Sequence, residues 1–231
     1  MQLTVLDPNN PEQDFPPLKK ALNEPNGLLA VGGCLSKTRL LNAYRHGIFP
    51  WYNHDDPILW WSPDPRLVLF PDSLVISRSL RKTLRKNNFS VTFDQAFSDV
   101  ITACAEPRNY CDDTWITEDI ALAYTDLHKS GYAHSAEAWQ NGELVGGLYG
   151  IALGRVFFGE SMFHTRTDAS KIVFATLVEQ LKAWDYQLID CQVHTTHLAS
   201  FGATACDRKQ FEKLLNQYCD LPANKSAWQL S

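Results

Sequence analysis

Two acids stand out by their surroundings: Glu160 in Gly159-Glu160-Ser161-Met162-Phe163 and Asp190 in Leu188-Ile189-Asp190-Cys191-Gln192. Both stand at the ends of otherwise apolar segments that read as strands, where a carboxylate is costly to bury unless it is ion-paired or does chemistry. Asp190 and Gln192 are two residues apart on one strand. A regular strand turns both to the same face, where they can jointly hold one small polar group. Ser161 lacks the Gly-x-Ser-x-Gly elbow of a serine hydrolase. Neither Gly-x-x-x-x-Gly-Lys nor Gly-x-Gly-x-x-Gly occurs, so nucleotide hydrolysis and dinucleotide binding lack support.

A second concentration is basic. Arg78, Arg81, Lys82, Arg85 and Lys86 fall between Asp72 and Asp94 with no acid among them. On a helix, Arg78, Arg81, Lys82 and Arg85 share one face while Leu80 and Leu84 point the other way. Such a face is either simply solvated or holds phosphate, for which local charge suffices. Aromatic residues form a third group: Phe49, Trp51, Tyr52, Trp60, Trp61 and Trp115. Most tryptophans belong to cores, but Trp51 follows Pro50 and precedes Asn53-His54-Asp55-Asp56, a loop context in which a ring can stack on a nucleobase.

Cys191, His194 and His197 have soft-ligand spacing, with Cys206 as a distant fourth. Structural zinc sites pair two close couples, and only one is visible, so no metal is expected. The six cysteines are widely spaced in a chain long enough to build its own core, which favours free thiols.

These residues need a scaffold. Residues 1 to about 70 are punctuated by proline and glycine, which leaves short elements and one clear helix, Ser36 to His46, capped by Ser36 and ended by Gly47. His134–Trp139 and Leu144–Tyr149 flank an Asn141-Gly142 turn, a strong hairpin signal. Arg155–Gly159 supplies a third strand. Asp168 is expected to cap a helix running to Trp184, with Ile172, Val173, Leu177, Leu181 and Trp184 facing the core. Gln187–Val193 is then a strand and Phe211–Tyr218 a last helix. The glycines Gly146, Gly147 and Gly150 lie inside the hairpin, which suggests close backbone approach. The predicted architecture is α/β (α+β): a small N-terminal α/β domain over residues 1–66, then a mixed-sheet domain over 67–231 that includes the basic helix near 77–87.

Composition agrees with a globular protein: 231 residues, 45% hydrophobic, 12% aromatic and 20% charged. The net charge of −5 means that any nucleic-acid site must be local. No apolar run approaches the roughly 18 residues of a membrane span, and the N-terminal segment has no signal-peptide core, so a cytoplasmic location is expected.

The motifs Asn26-Gly27-Leu28-Leu29-Ala30, Gly47-Ile48-Phe49-Pro50-Trp51, Trp60-Trp61-Ser62-Pro63-Asp64-Pro65-Arg66, Thr114-Trp115-Ile116, Ala133-His134-Ser135 and Leu144-Val145-Gly146-Gly147-Leu148-Tyr149-Gly150, with the Glu160 and Asp190 segments, occur in the order found in one family. From about Phe15 to Phe211 the chain resembles the leucyl/phenylalanyl-tRNA protein transferases. The resemblance implies a bacterial cytoplasmic aminoacyltransferase, and a monomer without cofactor is expected, since nothing in the sequence suggests an oligomer or a cofactor site. It would move leucine or phenylalanine from aminoacyl-tRNA to proteins with N-terminal arginine or lysine, creating an N-end rule degradation signal. It also implies that the second domain is acetyltransferase-like (GNAT-type). Trp51 would stack near the terminal adenosine, and Trp115, Leu148 and Met162 would form the apolar pocket for the transferred side chain. Glu160, Asp190 and Gln192 would form the polar centre. Arg78, Arg81, Lys82, Arg85 and Lys86 would hold the acceptor stem. The chain departs from the family pattern at His164 and Asp168, and Leu148 replaces a methionine found in some members, a near volume-conserving change.

The implied reaction is aminolysis of an ester. With an α-amino pKa of roughly 7.7 to 8.0, about a tenth or more of the amine is free near neutral pH, so a strong base is not required. Orientation can contribute on the order of 7 to 11 kcal/mol, and Asp190 and Gln192 are expected to orient the amine with electrostatic support from Glu160. Two other classes compete. A coenzyme A-dependent acetyltransferase would need glycines before the long helix, where this chain has Thr165-Arg166-Thr167-Asp168-Ala169. A non-catalytic RNA-binding module would have little reason to bear two acids in apolar segments.

Overall fold

The structure, a computed structural model, describes residues 3–106 and 114–229. Strands β1 (Thr4–Leu6), β2 (Leu28–Gly32), β3 (Phe49–Pro50) and β4 (Leu59–Trp61) form a small mixed sheet in the order β1-β2-β4-β3, and helix α1 (Lys37–Arg45) connects β2 to β3. Ser36 caps α1 by accepting from the Arg39 N–H at 3.3 Å, as its residue type predicts.

A seven-stranded sheet follows, built from β5 (Arg66–Leu69), β6 (Ser90–Phe93), β7 (Ala133–Gln140), β8 (Glu143–Leu153), β9 (Val156–His164), β10 (Leu188–Gln192) and β11 (Thr204–Cys206). Its order is β11-β5-β10-β9-β8-β7-β6. The remaining helices are α2 (Arg78–Arg85), α3 (Phe97–Ala105), α4 (Glu118–Lys129), α5 (Ala169–Ala183), α6 (Thr196–Ala199) and α7 (Arg208–Tyr218). Asn141 and Gly142 turn the β7–β8 hairpin with φ of 54° and 81°, the left-handed pair that a two-residue turn requires. β9 and β10 run parallel with α5 crossing between them, and every other pairing in this sheet is antiparallel.

The apolar residues sort into two clusters, one on each face of this sheet. Ile172, Val173, Leu177 and Leu181 of α5 pack with Leu148, Phe157 and Ile189 on one face. On the other, Val100 and Ile101 of α3 and Ile120 and Tyr124 of α4 pack with Tyr149 and Phe158, in a cluster that continues to Trp60 of the small sheet and Phe211 of α7.

Two expectations need correction. Asp168 stands at the cap position of α5 but has φ of 66° and makes no capping hydrogen bond. Aspartate tolerates this left-handed conformation, and its carboxylate instead meets Lys171 Nζ at 2.8 Å and Thr83 Oγ1 at 3.4 Å, which ties α5 to α2. Glu160 is not at a strand end, because β9 continues to His164.

Candidate active site

The site forms where two strands stop pairing. The β9–β10 register runs Leu188 with Val156, Ile189 with Phe157 and Asp190 with Phe158, and no further. Each strand is irregular just there. In β9, Tyr149 of β8 pairs with Ser161 and Gly150 with Gly159, so Glu160 is an extra residue that opposes nothing. Gly150 permits this crowding, since a Cβ there would lie 2.2 Å from the Phe158 carbonyl oxygen. In β10, Asp190 pairs with Val68 and Gln192 with Leu67, which leaves Cys191 as the extra residue and Gln192 at φ of 60°. Bulges re-aim side chains, and a left-handed glutamine costs about 1 to 3 kcal/mol that the surroundings must hold in place.

The bulges bring the polar residues together across the opening. Gln192 Nε2 donates to Glu160 Oε1 at 2.9 Å, and Tyr124 donates to Glu160 Oε2 at 3.2 Å. Tyr44 of α1 makes a short hydroxyl contact with Tyr124, extending the chain of hydrogen bonds into the small sheet's helix. Asp190, wholly buried, accepts from Arg66 Nε at 2.8 Å and Nη2 at 2.6 Å, and its Oδ1 also accepts from the Gln192 backbone N–H at 2.9 Å. Of the two readings open for a buried acid, Asp190 therefore has the ion pair. The Arg66 guanidinium lies 4.8 Å from the ring centroids of both Phe49 and Phe211.

Electrostatics acts on Glu160 and the tyrosines around it. Glu160 is pushed up to about 8, chiefly by burial. Hydrogen bonds from Tyr44 and Tyr124 pull it down, the charge of Asp190 adds to the rise, and that of Arg66 opposes it. Burial, followed by the Glu160 charge, raises Tyr44 and Tyr124 well above the ordinary phenol value. Burial thus favours the protonated form of Glu160.

A cavity of about 410 Å³ opens at this point. It takes its walls from both faces of the sheet: Leu148, Met162, Phe174, Leu177 and Val178 on the α5 side, and Trp115, Tyr149 and Glu160 on the other, with Asp190 and Gln192 beside the opening. Six of the residues singled out in the sequence, namely Glu160, Asp190, Gln192, Trp115, Leu148 and Met162, line this one cavity. Trp115 packs with the α4-face cluster, and Leu148 and Met162 with the α5-face cluster, and all three line the cavity.

Trp51 lies outside the lining; it is 50% exposed and sets its ring edge-on to Trp61 with centroids 5.6 Å apart. The predicted basic helix is α2, capped by Ser77, with Leu80 buried. Arg78, Arg81, Lys82, Arg85 and Lys86 are exposed, and none is in an ion pair among the described residues. Among the described residues no three His, Cys, Asp or Glu side chains are grouped to hold a metal ion, and no helix is long and apolar enough to cross a membrane. Cys34, Cys191, Cys206 and Cys219 are free thiols, and Cys111 lies outside the described residues.

Arg66, Tyr44 and Tyr124 escaped the sequence reading. Arg66 closes a recognisable motif, but nothing local tells which acid it meets 124 residues later.

Family models and the relatives described below name the same family. A family model described as leucyl/phenylalanyl-tRNA protein transferase matches residues 68–216, and the model of that family's N-terminal domain matches residues 33–64. The leucyl/phenylalanyl-tRNA protein transferase of Methylococcus capsulatus is 59% identical over 226 residues, covering 98% of this chain and 96% of that one. The protein of the same name from Pseudomonas fluorescens is 60% identical over 215 residues, covering 93% and 95%. Among solved structures, a GCN5-related N-acetyltransferase from Kribbella flavida aligns at 9% identity with a TM-score of 0.39, over 70% of this chain and 57% of that one. The structure of L-PGS from Bacillus licheniformis aligns at 9% identity and 0.43, over 78% and 62%.

Proposed function

Because the chain belongs to the leucyl/phenylalanyl-tRNA protein transferase family, and so is an aminoacyltransferase that acts on proteins, we propose that its acceptors carry N-terminal arginine or lysine. The observation that carries this reading is one cavity with an apolar wall on the α5 face and an acid, Glu160, on the other. The leucyl or phenylalanyl side chain occupies the first part, against Leu148 and Met162. The basic side chain of the acceptor occupies the second, against Glu160 and the neighbouring rings.

The chemistry joins the acceptor nitrogen to the aminoacyl carbonyl carbon, breaks the bond from that carbon to the ribose oxygen, and passes the amine's proton to the departing oxygen. Asp190 is taken as an anchor, since Arg66 grips both its oxygens and its Oδ1 also accepts from the Gln192 backbone N–H. That anchor fixes the bulge, and the bulge fixes Gln192 against Glu160. Orienting two bound substrates is the main source of rate on this reading. The exposed face of α2 holds the acceptor stem, and Trp51 offers a ring to the terminal adenosine. We divide the chain at residues 1–66 and 67–231, with the second part carrying the reacting groups, and take the enzyme to be cytoplasmic and monomeric.

The test mixes radiolabelled phenylalanyl- or leucyl-tRNA with proteins that differ only in the N-terminal residue. Label should move to N-terminal arginine and lysine and not to alanine. Equal labelling of all three would refute the acceptor assignment.

A further inference from the structure

Tyr149 poses a problem that neither the packing nor the proposed chemistry has solved. Its side chain is completely buried, yet its hydroxyl has no hydrogen-bond partner among the described residues. Leaving a buried polar group unsatisfied is costly, and native structures tolerate it mainly where something else supplies the partner. The ring is held edge-on by Tyr124 at 5.7 Å and Phe97 at 6.0 Å between centroids, so the hydroxyl cannot swing away to find one. Tyr149 also lines the cavity, on the face of the sheet where Glu160 and Tyr124 stand.

We infer that Tyr149 is a specificity-determining residue, whose hydroxyl oxygen accepts a hydrogen bond from the acceptor's guanidinium or ammonium group while Glu160 pairs with its charge. This rests on the acceptor reading given above. Counting acceptors supports it. A guanidinium brings five N–H donors in a rigid fork and needs several oxygens to meet them. Asp190 already accepts three hydrogen bonds, two of them from Arg66, whose positive charge lies against it and disfavours the approach of a second cation. Glu160 accepts from Gln192 Nε2 at Oε1 and from Tyr124 at Oε2, and a carboxylate has lone pairs for further donors. The Tyr149 oxygen is a further acceptor on this side of the cavity, and no group among the described residues uses it. Its nearness to Glu160 is also felt electrostatically, since that charge raises the phenol after burial does.

Tyr149→Phe keeps the ring and removes only the orphan. For an acceptor with N-terminal arginine the KM should rise on the order of tenfold with kcat at saturation retained, while the KM for phenylalanyl-tRNA stays as in the wild type. The free variant should melt at the same temperature as the wild type or higher, because the hydroxyl satisfies nothing in the empty site. The rise in melting temperature produced by an arginyl-alanine dipeptide should shrink. An unchanged acceptor KM, or a free variant that melts several degrees lower, would overturn the assignment. A fall in kcat alone would instead put the hydroxyl at the ester carbonyl and also overturn it. If the wild type accepts N-terminal alanine as readily as arginine, the acceptor reading itself fails. If it prefers arginine and the variant keeps that preference and KM, only the role of Tyr149 fails.

Discussion

Arg66 grips Asp190 with two parallel hydrogen bonds of 2.8 and 2.6 Å, and both side chains are sealed from solvent, the guanidinium lying against Phe49 and Phe211. The pair joins β5, the first strand of the large sheet, to β10, whose Gln192 bonds Glu160 at the cavity, so it is a structural joint beside the cavity. Removing one member strands the other as a buried charge, which typically costs about 3 to 5 kcal/mol. Asp190→Asn should therefore lower the urea midpoint strongly before any kinetic effect is read. Arg66→Met with Asp190→Leu should cost less than the two single changes added together. Additivity of the two would mean that the pair is not coupled.

Glu160 gives the pH dependence a definite sign. Its acid is raised from 4.5 to about 8 in the folded protein, so between those values the folded state holds a proton that the unfolded chain has released. This contribution to stability is fully present at low pH and is lost as pH rises toward about 8. Glu160→Gln should flatten that slope, which urea unfolding at several pH values measures. A basic acceptor favours the ionised form, so its KM should fall as pH climbs through the same range in the wild type and not in the variant.

The exposed cations of α2 should act through salt. If Arg81 and Arg85 each meet one phosphate, reversing both charges should weaken tRNA retention and flatten its logarithmic salt dependence by roughly 1.4 to 1.8. Filter binding across a salt series reads this directly. An unchanged slope would remove α2 from the interface.

Leu148 and Met162 are Cα partners across β8 and β9, and both line the apolar wall. Leu148→Phe should fill part of the cavity and penalise phenylalanyl more than leucyl transfer. A shift of about tenfold in the kcat/KM ratio is expected, the lower end of what a small volume difference gives in an apolar pocket. A ratio that does not move would show that Leu148 does not bound the transferred side chain.

Local signals carried the expectations that the structure matches. The Asn141-Gly142 turn, the Ser36 cap and the apolar stripe of α5 each follow from neighbouring residues, and each is present. The failures have physical causes. The third strand reads as ending at Gly159 because the extra residue Glu160 shifts the alternation by one, whereas β9 runs on to His164. Helix α4 did carry a signal, Thr117 as a cap with Ile120, Tyr124 and Leu127 on one face, but nothing in that stripe marks Tyr124 as a hydrogen-bond donor to an acid of β9. Glu160 meets Tyr124 of α4 and Gln192 of β10, with Tyr44 of α1 behind Tyr124, and such meetings are set by topology and not by spacing.

The parting of β9 from β10 has a consequence for the order of events. Since the cavity takes one wall from each face of the sheet, the donor's side chain and the acceptor's side chain on this reading never contend for the same volume. Both can be resident at once, and no enzyme nucleophile has to store the acyl group between visits. Kinetics should then show intersecting initial-rate lines, the pattern of a ternary complex, in place of the parallel lines of a double displacement.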